Sequence, residues 1–190
     1  MEKSLHLKHW QIFVLMIGIP FVLEIVGMAT VFVTTKFDVF LYIISLVIIL
    51  SGGIFFGWFW ILGTSLHAKL PETVKMNLNT FKIFLLIPAI YIGLFSIIGI
   101  LYNGADPEGA KGVFELLPVI LPLHFFSIFC IFYCLYFISK ELKAVEWQRP
   151  VTFGDYAGEF FLIWFFPIGV WFIQPKVNKM FGQQADTQIN

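Results

Sequence analysis

The sequence predicts an all-α protein: a polytopic transmembrane helical bundle of four spans plus a fifth short helix, broken or re-entrant. Three observations carry this. Of 190 residues 59% are hydrophobic and 13% charged, with a mean hydropathy of +0.87, and a water-soluble chain needs a polar exterior that so few polar residues do not supply. Four apolar stretches reach the about 20 residues needed to cross a hydrocarbon layer of roughly 30 Å. Within that layer backbone groups must bond inside their own segment, so these stretches are helices.

The first span covers residues 12–33. Lys3 and Lys8 precede it as they would in a signal peptide, but the run is 22 residues long and contains Glu24, beyond the roughly 7 to 15 residues of a signal core. It reads as a retained helix. The second span, 39–63, and the third, 83–102, carry no charge, and the fourth, 116–138, carries only His124. Pro20, Pro88, Pro118 and Pro122 are expected to kink their helices. Residues 1–182 read as one domain, with a short broken segment at 153–175 and a disordered tail at 183–190.

Lys and Arg in the short loops set the orientation. With the N-terminus cytoplasmic, Lys3, Lys8, Lys69, Lys75, Lys82, Lys140, Lys143 and Arg149 lie inside, against Lys36 and Lys111 outside. Lys176 and Lys179 join the inside only if the last segment turns back. Pro71-Glu72 suits the first turn of a short helix, and Asn79 or Thr80 suits the cap of the third span. The fourth helix is expected to run on through Glu146 and Trp147 until Arg149-Pro150 stops it. Thr152, three residues before Asp155, has capping-box spacing, so a new helix begins near Phe153. The stretch NGADPEGAKG reads as an ordinary connector. A weak internal echo relates residues 55–93, containing FLLIPAIYIG, to residues 129–172, containing FLIWFFPIGV.

Twelve basic and twelve acidic residues balance, which gives no basic footprint for nucleic acid. Glu24 lies deep in the first span, where a carboxylate is costly and marks function by default. His124 falls at a similar depth in the fourth, so the two are the candidate intramembrane proton or ion site; the alternative is a packing lock. His124, Ser127, Cys130 and Cys134 make one stripe expected to face other helices. Three such ligands on one helix do not close a metal site. His6 and His9 read as interfacial anchors. Gly53 and Gly57 form a small-xxx-small motif expected to mark close packing, as an internal contact of the bundle or, alternatively, as an oligomer face. Enzyme motifs such as HExxH, G-x-S-x-G or a phosphate loop are missing, and no cofactor, metal or catalytic residue is expected.

Segment 160–173, FFLIWFFPIGVWFI, has 14 residues, about 21 Å as a helix. It enters from the cytoplasmic surface past Tyr156 and Glu159, and Pro167 and Gly169 can end or bend it sharply. Glu159, Pro167, Gly169, Trp171, Gln174, Pro175, Lys176 and Asn178 are the candidate interaction or broken-helix residues. The string PIGVWFIQPKVN resembles the C-terminal signature P-I-G-[IV]-W-x-I-Q-P-[KR]-x-N of small uncharacterised multi-pass bacterial membrane proteins. The resemblance spans residues 153–181 and implies a shared surface without a known activity. The expected function is a non-enzymatic interaction, accessory or effector subunit of a bacterial cytoplasmic membrane, in defence or immunity for example. Its partners are the lipid bilayer and either further copies of itself or another membrane protein. The alternative is a small ion channel or proton-coupled transporter using Glu24 and His124.

Overall fold

The computed structural model describes residues 7–35, 37–101 and 115–187. All regular structure among them is helical. The helices are α1 (His9–Thr34), α2 (Phe37–His67), α3 (Leu78–Leu101), α4 (Leu117–Trp147), α5 (Phe153–Trp164) and α6 (Phe166–Thr187). Four stretches, His9–Thr34, Val39–His67, Leu78–Ile98 and Leu117–Trp147, are long and apolar enough to cross a bilayer, and the chain is a multi-pass membrane protein. The connector NGADPEGAKG, Lys3, His6, Lys36 and Lys111 lie outside the described residues.

Local chemistry sets the helix ends. Pro20 lacks a donor and crowds the turn before it; α1 absorbs this with one wide π turn, Val14–Gly18, directly ahead. Asn77 Oδ1 accepts the Thr80 N–H at 3.1 Å, so α3 starts earlier than its apolar run, and Asn77 caps it instead of Asn79 or Thr80. Residues 71–76 form turns and no helix. Pro118 sits in the first turn of α4, where a missing N–H costs nothing; it kinks nothing, whereas Pro88 and Pro122 lie inside their helices. As its sequence suggests, α4 runs to Trp147 and stops at Gln148, which adopts a left-handed φ of 51°. At the C-terminus α6 continues through Thr187; Gln183, Gln184 and Ala185 are adequate helix formers, so most of the expected disordered tail is helical.

α1 packs on α2, α2 on α3 and α4, and α3 on α4; α5 then lies on α4, and α6 on α5 and on the first turns of α1. No extensive contact joins α1 to α4. The α5–α6 pair therefore closes the ring, and it does so only at the end of the bundle where the described N-terminal residues lie. That near end holds the large, fully buried side chains Phe59, Leu62, Leu66, Phe81, Phe137 and Leu142. Phe81 stacks on Phe137 at 4.4 Å and 15°, tying α3 to α4. Toward the far end burial passes to small residues such as Gly27, Ser45, Ser96 and Ser127. Phe21, Phe32, Leu94 and Phe125 there point outward, as side chains solvated by lipid do.

Gly53 and Gly57 make no close contact within the chain. A Cβ on either would meet nothing within 4 Å, and both line an open apolar cleft beside Ile12, Met16 and Trp58. The close approach is at Gly63, where a Cβ would lie 2.5 Å from the Phe81 ring. Gly63→Ala should therefore destabilise the bundle by about 1–3 kcal/mol through overpacking. Gly57→Ala should be neutral or stabilising by up to about 1 kcal/mol. Thermal unfolding in detergent compares the two, and equal effects would contradict this packing.

Candidate functional site

The C-terminal third of the chain folds as a hairpin. At its start Asp155 Oδ2 accepts the Thr152 N–H at 2.7 Å and the Thr152 hydroxyl at 2.9 Å, the cap that the spacing predicts. The backbone N–H of Thr152, and then its hydroxyl, hold the Asp155 carboxyl below the ordinary carboxylate range. α5 ends at Phe165, whose φ of −83° and ψ of 56° lie near the inverse γ conformation. The Phe165 carbonyl then accepts the N–H groups of Ile168 and Gly169 at 3.0 and 2.9 Å, which starts α6. Pro167 falls in the first turn of α6, where it is tolerated.

Gly169 makes the return possible. A Cβ there would stand 1.6 Å from the carbonyl oxygen of Leu162, so α6 crosses the last turn of α5 where only a hydrogen fits. The tip lies halfway along the bundle: Trp164 meets Phe132 of α4 at 5.0 Å, and Phe166 meets Trp58 of α2 at 5.4 Å. α6 then runs back to the near end, where the Lys69 ammonium donates to the Met180 carbonyl at 3.0 Å. The segment is re-entrant within the bundle, so Lys176 and Lys179 stand on the same side as Lys8, Lys69 and Lys143.

Two polar joints hold this arm. Gln174, 1% exposed, accepts the Trp58 indole N–H at 3.1 Å and donates to the Leu7 carbonyl at 3.1 Å and to Asn178 Oδ1 at 2.9 Å. Asn178 donates to the same Leu7 carbonyl at 3.2 Å. Trp171 packs beside them on His9 and Phe13 at 4.6 and 5.7 Å. The second joint is a quartet of charges. The Lys176 ammonium lies 2.7 Å from Glu159 Oε1 and 2.6 Å from Glu146 Oε2, and the Lys143 ammonium lies 2.9 and 3.0 Å from the same two oxygens. Two cations and two anions cancel, which makes partial burial tolerable.

The structure thus brings together Glu159, Pro167, Gly169, Trp171, Gln174, Lys176 and Asn178, and it spends them on closing the hairpin. Pro175 lies within α6 on an exposed face, and the helix continues through it. What the hairpin leaves outward is apolar: Phe165 is 60%, Ile168 62% and Phe172 61% exposed, with Trp164 beside them.

Glu24 and His124 are not brought together. Glu24 lies half-buried on α1, and no side-chain partner is found for it among the described residues. His124 is exposed and faces α3, with Nδ1 3.4 Å from the Tyr91 hydroxyl. Of its stripe, Ser127, Cys130 and Cys134 are buried as expected. Among the described residues no His, Cys, Asp and Glu group is placed to hold a metal ion.

Sequence reasoning missed a buried ionisable pair. Glu141 is 0% exposed, and its Oε1 lies 2.7 Å from His67 Nδ1. Its Oε2 is buried with no hydrogen-bond partner. His67 stacks on Phe137 at 6.2 Å and 20°, so the pair sits on the aromatic seam between α2, α3 and α4. Glu141 lies in the stretch where α4 is expected to run on beyond its apolar span. The available signal was periodic: Cys134, Ile138, Glu141 and Val145 advance by four, three and four, which puts Glu141 on the buried face.

Compared with protein-family profiles, curated proteins and solved structures, the chain matches none. The arrangement supplies charge neutralisation, amide hydrogen bonding and aromatic packing, with the hydrogen-bonded His67–Glu141 pair alongside.

Gly169→Ala should unfold the hairpin, losing the protection of Phe172 and Val177 from hydrogen exchange while α1 to α4 stay helical. Lys176→Met leaves two carboxylates sharing Lys143 and should cost about 1–3 kcal/mol, the worth of hydrogen bonds to charged groups; Lys176→Arg should recover most of it. Asp155 stabilises the hairpin fully above its unfolded value of about 3.9. As pH falls through its lower folded value that contribution is lost, and Asp155→Asn should remove the dependence. Hydrogen exchange at the start of α5 reads it.

Proposed function

We propose that this chain is a non-enzymatic interaction, accessory or effector subunit of a bacterial cytoplasmic membrane, with defence or immunity as its setting. One observation carries the reading. Val170, Ile173, Gln174 and Val177 of the PIGVWFIQPKVN string turn inward and fix the hairpin, while Ile168 and Phe172 of the same string stand outward at mid-bundle with Trp164 and Phe165. A fixed aromatic tip is suited to meeting another transmembrane helix, because partners in lipid associate through packing against preorganised surfaces. The basic near end supports a cytoplasmic N-terminus by the distribution of Lys and Arg. The partner is a further copy of the chain or a different membrane protein.

The alternative, a small ion channel or proton-coupled transporter, draws on one fact: Glu24 is an intramembrane carboxylate with no side-chain partner among the described residues. Such groups mark ion and proton pathways. His124 would then act separately, from the α3–α4 face.

Phe165→Ala combined with Phe172→Ala should lower the mass of the complex extracted in mild detergent, or release a co-purifying protein. Thermal stability should change by less than about 1 kcal/mol, as for outward side chains. An unchanged complex would sink the interaction reading. Proton or cation flux in liposomes, abolished by Glu24→Gln in a folded protein, would install the transporter in its place.

A further inference from the structure

Beside the hairpin, and independent of any partner, the near end places a half-buried histidine against a fully buried acid. His67 lines a shallow, open surface cleft together with Lys75, Asn77 and Asn79. Its Nδ1 is engaged by Glu141 Oε1 at 2.7 Å. Its Nε2 has no protein hydrogen-bond partner among the described residues, on a ring that is half-buried and lines the cleft. Behind the ring, Glu141 is wholly enclosed and its Oε2 has no donor.

A carboxylate in this position without a counter-charge is strongly disfavoured. The pair relieves it with one proton, placed either on the imidazole or on the carboxyl. A histidine is suited to moving that proton, because its two nitrogens exchange roles when one gains a hydrogen and the other gives one up.

We propose that His67 and Glu141 form a proton-binding site at the base of α2 and α4, loaded from the cleft through His67 Nε2. In the empty state His67 carries its hydrogen on Nδ1 and donates it to the Glu141 carboxylate. A proton from cleft water bonds to Nε2, giving the imidazolium. The Nδ1–H bond then breaks as an O–H bond forms on Glu141, leaving a neutral Nε2–H ring beside a neutral acid. One proton enters, no electrons move, and the site loses one negative charge.

The charged and titratable neighbours come from each element packed around the pair. Lys82 of α3 repels a charge on His67 while its ammonium rests 5.4 Å over the Trp60 ring. Lys75 lines the cleft from the α2–α3 connection. Lys69, two residues beyond His67, is directed away to the Met180 carbonyl and over the Phe181 ring. On α4, Tyr133 lies near enough to interact electrostatically with Glu141. Loading therefore changes the charge balance at the seam where α2, α3 and α4 meet, a place with few compensating anions.

The test is a pH series on the full chain in lipid nanodiscs, with 15N-labelled histidine and infrared difference spectra, over roughly pH 5 to 10, which brackets the ordinary His and approaches the Lys values. The His67 signals are assigned in a chain whose His6, His9 and His124 are Gln. The expected result is a tautomer exchange: Nδ1 and Nε2 swap protonated and unprotonated character at the pH where one protonated-carboxyl C=O band disappears. Glu141→Gln should remove that band and move the His67 midpoint by at least about one pH unit, a tenfold change in proton affinity. If that variant does not fold, the coincidence of ring and carboxyl changes in the otherwise native chain decides. A His67 ring that titrates with no carboxyl band moving, or that keeps one tautomer throughout, would overturn the proposal. Either outcome leaves the interaction reading of the hairpin tip untouched.

Discussion

Where α6 passes over the last turn of α5, the gap between Gly169 and the Leu162 carbonyl admits a hydrogen atom and excludes a methyl. That steric allowance decides where the last 20 or so residues go. With it, the chain turns at Phe165 and α6 runs back along α5, so Gln174 reaches α1 and α2 and Lys176 reaches two glutamates. Without it, α6 would continue away from the bundle and every one of those polar side chains would face lipid unpaired. The hairpin's polar joints are thus consequences of its turn as much as they are its fastenings.

The joints tie the near end together. Gln174 satisfies donors and acceptors from three separate segments, so removing it strands the Trp58 indole N–H and leaves the Leu7 carbonyl to Asn178 alone. The quartet of Lys143, Glu146, Glu159 and Lys176 holds its charges at hydrogen-bonding distance with zero net charge. Arrangements of this kind cost stability if one member is lost, and they fix register while intact. Around them the Phe81–Phe137 stack and Gly63 bring α2, α3 and α4 close enough to enclose a carboxyl at Glu141.

The spans were legible because hydrocarbon thickness translates directly into run length. The end of α4 and the cap before α5 were legible because Gln148-Arg149-Pro150 and Thr152…Asp155 are local signals. The fate of the Pro167 segment turned on a neighbour. Pro88 lies in a comparable apolar run and α3 continues through it, whereas Pro167 has Gly169 two residues on, which permits the crossing. Other features needed three dimensions. Glu24 and His124 fall at comparable distances along their helices, but depth says nothing of direction around the bundle, and α1 and α4 are not neighbours. Gly53 and Gly57 read as a contact motif, yet which face meets a neighbour depends on where α1 lies. Glu141 escaped notice because a charged residue just past an apolar run is usually at the interface, and only its helical phase with Cys134, Ile138 and Val145 told otherwise.

The ring of helices closed at one end only has a geometric consequence. Among the described residues, a plane through the near half cuts six helical sections, and one through the far half cuts four. Each extra rod is roughly 10 Å across, so the described helices fill a broader cross-section at the near end than at the far end. The hairpin that completes the fold therefore also sets the taper of the helical bundle.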